Sequence, residues 1–295
     1  MNNSDKPAGM PAAKKPDWLR VKLGHGPEHR RMRDILKENR LHTVCEEALC
    51  PNIGECWKCG HATIMILGGT CSRNCRFCNV SDQQPLPPDI DEPQRVAAAV
   101  GQLSLKHIVI TSVTRDDLAD GGAAIWAETV SRVRKAAPQA VVEVLIPDFN
   151  GDMTALHTVI NAGPDILGHN LETVPRLYPM ARPQADYRRS LTLLAAAAQT
   201  GCHTKTGIML GMGETAQEIR QTITDARDAG VSILYLGQYL QPSKQHLPVA
   251  EYINPDRFEQ LRQIALEIGI PVVAAGPLIR SSYPSADQTA FVNGG

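Results

Sequence analysis

Six of the chain's eight cysteines fall between residues 45 and 78 in two sets of three, a clustering that points to metal or redox chemistry. Cys71, Cys75 and Cys78 form a C-x₃-C-x₂-C array within GGTCSRNCRFC. Three thiolates so spaced in one short loop can cap three irons of a cubane 4Fe-4S cluster. The array offers the fourth iron no ligand, and an open iron can bind a substrate or cofactor, much as an open position separates catalytic from structural zinc. The spacing also fits a structural zinc knuckle that borrows Cys59 or His61 as fourth ligand. Cys45, Cys50 and Cys56 in CEEALCPNIGECW give C-x₄-C-x₅-C, a second three-thiolate set that suits a structural metal moderately well. Cys202 stands alone and reads as a small buried hydrophobe.

The elements that must position these groups follow from periodicity. After Cys78, short β-branched apolar runs alternate with longer amphipathic stretches, the pattern of βα units around a parallel sheet. Strands are predicted at 64–67, 107–111, 140–145, 165–169, 203–210 and 232–237, and helices at 92–103, 123–136, 153–161, 187–199, 216–229 and 255–268. IPVVAAG at 270–276 fits either a further strand or an extended tail. Six units within 64–270 are too few for a closed (β/α)₈ barrel of about 250 residues, so a partial TIM-type (β/α)₆ barrel is expected. An open doubly wound sheet is the alternative, weakened because no G-x-G-x-x-G follows the first strand. The cysteine loop at 68–78 then sits at a strand's C-terminal end, where barrels do chemistry. Residues 1–15 read as a disordered tail, 16–63 as an N-terminal accessory layer carrying the first cysteine set, and 271–295 as a C-terminal extension.

With Phe77 at its aromatic position, the array at 71–78 resembles the signature of the radical S-adenosylmethionine (SAM) superfamily. That resemblance implies that Cys71, Cys75 and Cys78 hold a cluster whose open iron chelates SAM and cleaves it to a 5′-deoxyadenosyl radical. It further implies SAM-contacting roles for Thr111 and Ser112 (methionine amino group), Asn170 and Glu172 (ribose hydroxyls), and the GIMLGMGE segment with Gly211 and Glu214 (adenine). CEEALCPNIGECW closely resembles the auxiliary-cluster motif of lipoyl synthases, and the likeness runs from about residue 15 to 283. It includes KPDWLRVKL, TSVTRDDLADGGA, EVLIPDF, HNLETVPRLYPMARPQADYRRSLTLL, YLQPSKQHLPV and RSSY. It implies a second 4Fe-4S cluster on Cys45, Cys50, Cys56 and Ser282, with Ser281 as the fallback ligand. It also implies insertion of that cluster's sulfur at C6 and C8 of a protein-bound octanoyl-lysine. An alkoxide binds iron more weakly than a thiolate, which suits a cluster meant to be attacked. Cys59 and His61 depart from the family pattern and are expected to be bystanders; PSADQ after Tyr283 departs too. The implied partners are an octanoylated carrier protein or lipoyl domain, an electron donor and an iron-sulfur carrier.

Composition agrees by exclusion. Thirty Lys and Arg nearly balance 31 Asp and Glu, so no global field suggests nucleic acid or a membrane surface. No apolar run approaches the roughly 20 residues of a membrane span, and residues 1–15 lack a signal-peptide core. A cytoplasmic protein is expected, in which reduced thiols serve metal chemistry rather than a disulfide framework. Two rival functions are a related sulfur-inserting radical enzyme with another acceptor and a non-catalytic iron-sulfur or zinc redox sensor.

Overall fold

The structure, a computed structural model, describes residues 15–20, 26–47, 50–58, 61–103, 105–283 and 285–293. Residues 1–14 of the tail expected at 1–15, and Cys59, lie outside these residues. The accessory layer comprises α1 (Pro27–Glu38), β1 (His42–Thr43), α2 (Val44–Glu47) and α3 (Ile53–Lys58). The repeating part runs β2 (Ala62–Ile66), α4 (Glu92–Leu103), β3 (His107–Ser112), α5 (Ala123–Ala136), β4 (Val141–Leu145), α6 (Met153–Asn161) and β5 (Ile166–Gly168). It continues with α7 (Tyr178–Ala181), α8 (Tyr187–Gln199), β6 (His203–Leu210), α9 (Ala216–Asp228), β7 (Ile233–Gln238), α10 (Pro255–Ile268) and β8 (Val272–Gly276), and the chain closes with α11 (Ala286–Asn293).

The strands form one sheet in sequence order, β2 to β8 parallel and β1 antiparallel on the β2 edge. No pairing joins the two edges among the described residues, so the sheet is an open, partial barrel. The six expected βα units are present, and IPVVAAG supplies a seventh parallel strand rather than a tail. The first strand begins two residues earlier than expected and ends before Leu67, whose φ of 67° leaves the extended region.

Each outer helix has a local reason to start where it does. Asp152 accepts from Thr154 N and Ala155 N at the start of α6, Asp186 caps α8, and Thr215 with Glu218 makes a reciprocal capping box on α9. Such caps contribute about 1 kcal/mol each. Pro255 at the first turn and left-handed Gly269 after the last bound α10. One apolar stripe per helix then buries against strands whose side chains are almost wholly enclosed, among them Ile64, Ile66, Ile110, Val142, Val144, Leu234 and Leu236. The result is a rigid frame whose strand ends carry the loops.

Candidate active site

The cysteine loop follows β2 and is tied down from several sides. Glu92 at the head of α4 accepts the Leu67 N–H at 2.6 Å. Arg73, buried within the loop, donates to both carboxylate oxygens of Asp116 at 2.6 and 2.9 Å, and its Nη2 also reaches Asp148 at 2.6 Å. The loop is therefore locked to the ends of β3 and β4. From the far edge, Leu247 N donates to Arg76 O at 2.9 Å and His246 Nε2 meets Cys78 O at 2.8 Å. That edge contact comes from the YLQPSKQHLPV segment.

Burial pushes the Cys75 thiol up to about 12 and the Cys78 thiol up to about 11; Arg182 beside Cys75 pulls its thiol the other way. Thiols so placed stay protonated at neutral pH unless a cation replaces the proton, which is what iron does. The Cys71 sulfur accepts backbone N–H groups from Thr114 at 3.3 Å and Arg73 at 3.4 Å, which fix its position in the loop.

The residues expected to contact SAM converge at the C-terminal ends of β3, β5 and β6, but they are not equally free. Ser112 Oγ and Asn170 Oδ1 are buried without a partner among the described residues, as groups awaiting a polar ligand would be. Thr111 spends its hydroxyl hydrogen on Leu145 O at 2.8 Å and retains only acceptor capacity. Glu172 sits at φ 67° with its backbone paired to Gly207 and Met209, and burial raises its carboxyl above the usual range. Strain at a non-glycine residue in such a place is stored where function over-determines it. Glu214 is fully occupied, accepting from Gly211 N at 2.9 Å, Met212 N at 3.0 Å and Thr173 Oγ1 at 3.1 Å; it shapes the loop from within. At Gly211 φ is +105°, and a Cβ would lie 2.4 Å from Glu251 O, so only glycine allows this turn.

The second cysteine set forms its own pocket. Cys45 ends up on α2, Cys50 in the loop that follows and Cys56 on α3, and together with His61, Thr63, His107, Arg280 and Ser282 they line one cavity. Ala62 and His107 are the first residues of β2 and β3, so this cavity lies toward the N-terminal ends of those strands, whereas the Cys71 loop follows the C-terminal end of β2. Long-range clasps hold it: Asn52 Nδ2 donates to Leu278 O at 2.7 Å across 226 residues, and Asn79 Nδ2 donates to Glu47 O at 2.8 Å, joining the two cysteine segments. The C-terminal segment reaches it because β7 has Gly237 where it passes; a Cβ there would stand 2.2 Å from Ile279 O.

The two serines of RSSY separate cleanly. Ser281 Oγ accepts from Asn170 Nδ2 at 2.9 Å, beside the residues expected to contact SAM, while Ser282 lines the cavity with Cys45, Cys50 and Cys56. Among the described residues no three His, Cys, Asp or Glu side chains meet so as to hold a single metal ion. Three thiolates that each serve a different iron of a cubane need not meet at one point.

Several site residues carried no sequence signal. Arg73 and Arg182 are lone arginines without diagnostic spacing. Arg182, buried, donates to Asn170 O at 2.9 Å and has an Nε without a partner, so it faces the same region as Cys75 and Glu172. His61, expected to be a bystander, is a wall of the second cavity. Cys202, expected to be a small buried hydrophobe, is half-buried: it packs against the core and its sulfur meets the Pro164 and His203 carbonyls.

His169, just past β5, is fully enclosed, its Nδ1 meeting Ile146 O and its Nε2 meeting Ser190 Oγ, both at 2.9 Å. Burial depresses it to about 4. The folded state therefore keeps the ring neutral while the unfolded chain takes up a proton near its ordinary value of about 6.5. Stability is full above that value and falls between about 6.5 and 4, by roughly 3 kcal/mol. His169→Gln should flatten the denaturant midpoint across this window, although the variant is less stable at neutral pH; urea unfolding at pH 7 and pH 5 checks it.

Comparison with known proteins agrees with this architecture. The radical SAM superfamily model matches residues 65–226. The lipoyl synthase of Trichlorobacter lovleyi is 55% identical over 282 residues, covering 94% of this chain and 99% of that protein. That of Rubrobacter xylanophilus is 50% identical over 277 residues, covering 93% and 86%. Among solved structures, methylornithine synthase superposes with a TM-score of 0.54 at 14% identity, over 83% of this chain and 74% of that one. The FeFe-hydrogenase maturase of Carboxydothermus hydrogenoformans gives 0.56 at 13%, over 84% and 64%. At such identities these two speak for the fold alone.

Proposed function

Because the chain belongs to the lipoyl synthase family of the radical SAM superfamily, we propose that its two cysteine pockets divide one reaction between them. The protein is a radical SAM sulfurtransferase that uses SAM and two 4Fe-4S clusters. Cys71, Cys75 and Cys78 would hold the first cluster, and Cys45, Cys50, Cys56 and Ser282 the second. When bound, the first supplies the electron that cleaves SAM, and the second supplies sulfur for C6 and C8 of an octanoyl chain. The donor sets suit these groups: buried thiols that need a cation in order to ionise, and a hydroxyl that completes the second set.

The chain's own residues do the positioning. Ser112 and Asn170 offer unpartnered polar atoms, Arg182 an unpartnered N–H and Thr111 acceptor capacity to a zwitterionic ligand. Gly211 lets backbone approach a flat base. One observation carries the reading: consecutive residues Ser281 and Ser282 belong to the SAM side and the sulfur-donor side, respectively, so the two pockets are neighbours inside one barrel. A radical made in a dry lumen at the first can then be quenched at the second rather than by solvent.

Residues 16–63 act as the extension that carries the second cluster, 64–270 as the radical-generating barrel, and 271–295 as the segment that delivers the serine. An octanoylated lipoyl domain or carrier protein is the substrate. An electron donor and an iron-sulfur carrier serve the two clusters in a reducing, cytoplasmic setting, and no described helix is long and apolar enough to cross a membrane. The test is anaerobic incubation of reconstituted protein with SAM, a reductant and an octanoyl-lysine peptide, read by mass spectrometry. Two sulfurs should appear in the peptide. Intact SAM would sink the radical reading, and cleaved SAM with an unchanged peptide would sink sulfur insertion.

The serines give a separable prediction. Ser282→Ala should keep 5′-deoxyadenosine formation and lose thiolation, whereas Ser281→Ala, which removes the Asn170 partner, should raise the KM for SAM in the cleavage assay.

A further inference from the structure

The second cavity contains more than ligands. His61 donates its backbone N–H to Cys56 O at 2.9 Å, which fixes the residue close to a proposed iron ligand. Its Nδ1 is shielded from solvent and has no hydrogen-bond partner among the described residues. A buried ring nitrogen without a hydrogen-bond partner is rare enough to require an explanation.

Arg280 lines the same cavity and lies close enough to Cys50 for their charges to interact. Its Nη1 donates to Ile279 O at 2.7 Å, and its remaining N–H groups have no acceptor among the described residues. His107 also faces the cavity through an unpartnered Nδ1. Its Nε2, however, meets the Glu143 carboxylate at 2.9 Å. That carboxylate is held ionised, at about 2, against its burial by Lys205 and His107. That contact leaves Nδ1 as the ring nitrogen turned away from Glu143. His61 and Arg280 are the two cavity-lining side chains tied to proposed ligands, the first through the backbone of Cys56 and the second beside Cys50.

We propose that His61 Nδ1–H and the Arg280 guanidinium hydrogen-bond to sulfur atoms of the cluster held by Cys45, Cys50, Cys56 and Ser282, and so raise its reduction potential. The proposal rests on the assignment of that cluster above. Hydrogen bonds to sulfur and a nearby cation stabilise the more negative, reduced form. The consequence bears on the reaction. Forming a carbon–sulfur bond takes one electron from the carbon radical and one from a sulfide lone pair, and the second electron of that pair passes to iron, reducing it by one unit. A cavity that favours the reduced cluster favours each of the two bonds. His61 and Arg280 are positioning residues in this scheme; neither touches the octanoyl chain.

The full chain with Cys71, Cys75 and Cys78 all changed to serine isolates the second cluster for measurement. After reconstitution, iron and sulfide are assayed, and the midpoint potential is followed by electron paramagnetic resonance during redox titration. His61→Leu and Arg280→Met should each move the midpoint to a more negative value, and His61→Asn, which keeps a side-chain N–H, should restore most of the shift. Pulsed resonance in H₂O and D₂O should detect exchangeable protons coupled to the cluster when His61 is present, and fewer in His61→Leu. Unmoved midpoints at full iron load overturn the proposal. If the substituted chains lose iron, the chain with His61 and Arg280 intact decides alone: absence of exchangeable coupling overturns it and presence supports it. Failure of that parent chain to bind four irons overturns the cluster assignment itself, a distinct outcome.

Discussion

Changing Cys45, Cys50 and Cys56 together to alanine should leave 5′-deoxyadenosine formation near its original rate and reduce thiolation of an octanoyl-lysine peptide to background. The two cysteine sets sit on different elements, one on the loop after β2 and the other on α2, α3 and the loop between them, with separate anchors. The Arg73 fork to Asp116 and Asp148 does not pass through the second cavity, so the first loop keeps its shape without it. The Asn79 to Glu47 hydrogen bond links the segments, and it uses a backbone carbonyl that the substitutions retain. Chromatographic assay of deoxyadenosine beside mass spectrometry of the peptide measures both products from one reaction. Loss of both activities would instead mean that Cys45, Cys50 and Cys56 support the fold.

The reciprocal change has the larger reach. Cys71→Ser, Cys75→Ser or Cys78→Ser should each abolish both products, because no later step can proceed without the radical. One replacement should cost nearly as much as all three, as happens when groups act as a unit. The accompanying thermal stability should change little, since all three thiols stand in a loop and none belongs to a strand or helix. A single variant that still cleaves SAM at the original rate would show that the cluster lies elsewhere.

Much of this was legible because the barrel repeats a period. Alternating apolar runs located every βα unit, since each strand must be buried on both faces and each helix on one. Elements too short to carry a period escaped: β1 has two residues, α2 and α7 four each. β8 was ambiguous because VVAAG thins from branched to small residues where the C-terminal segment passes close by. Cysteines were readable because ligand spacing is local. The choice between Ser281 and Ser282 was not, since it turns on which of two adjacent side chains meets Asn170, 111 residues away. Arg73, Arg182 and His61 act through contacts made only on folding, and Thr111 and Glu214 proved to be engaged by the protein itself. Resemblance identified positions; the fold assigned their freedom.

The central claim is that the chain is its own sulfur source. Protein reconstituted with ³⁴S-sulfide, freed of excess reagent and given SAM, reductant and octanoyl-lysine peptide in unlabelled medium tests it directly. The expected result is no more than one fully thiolated peptide per chain, with ³⁴S at both C6 and C8 and a matching loss of protein-bound sulfide. Peptide carrying unlabelled sulfur, or many labelled turnovers from one chain without loss of its sulfide, would contradict it.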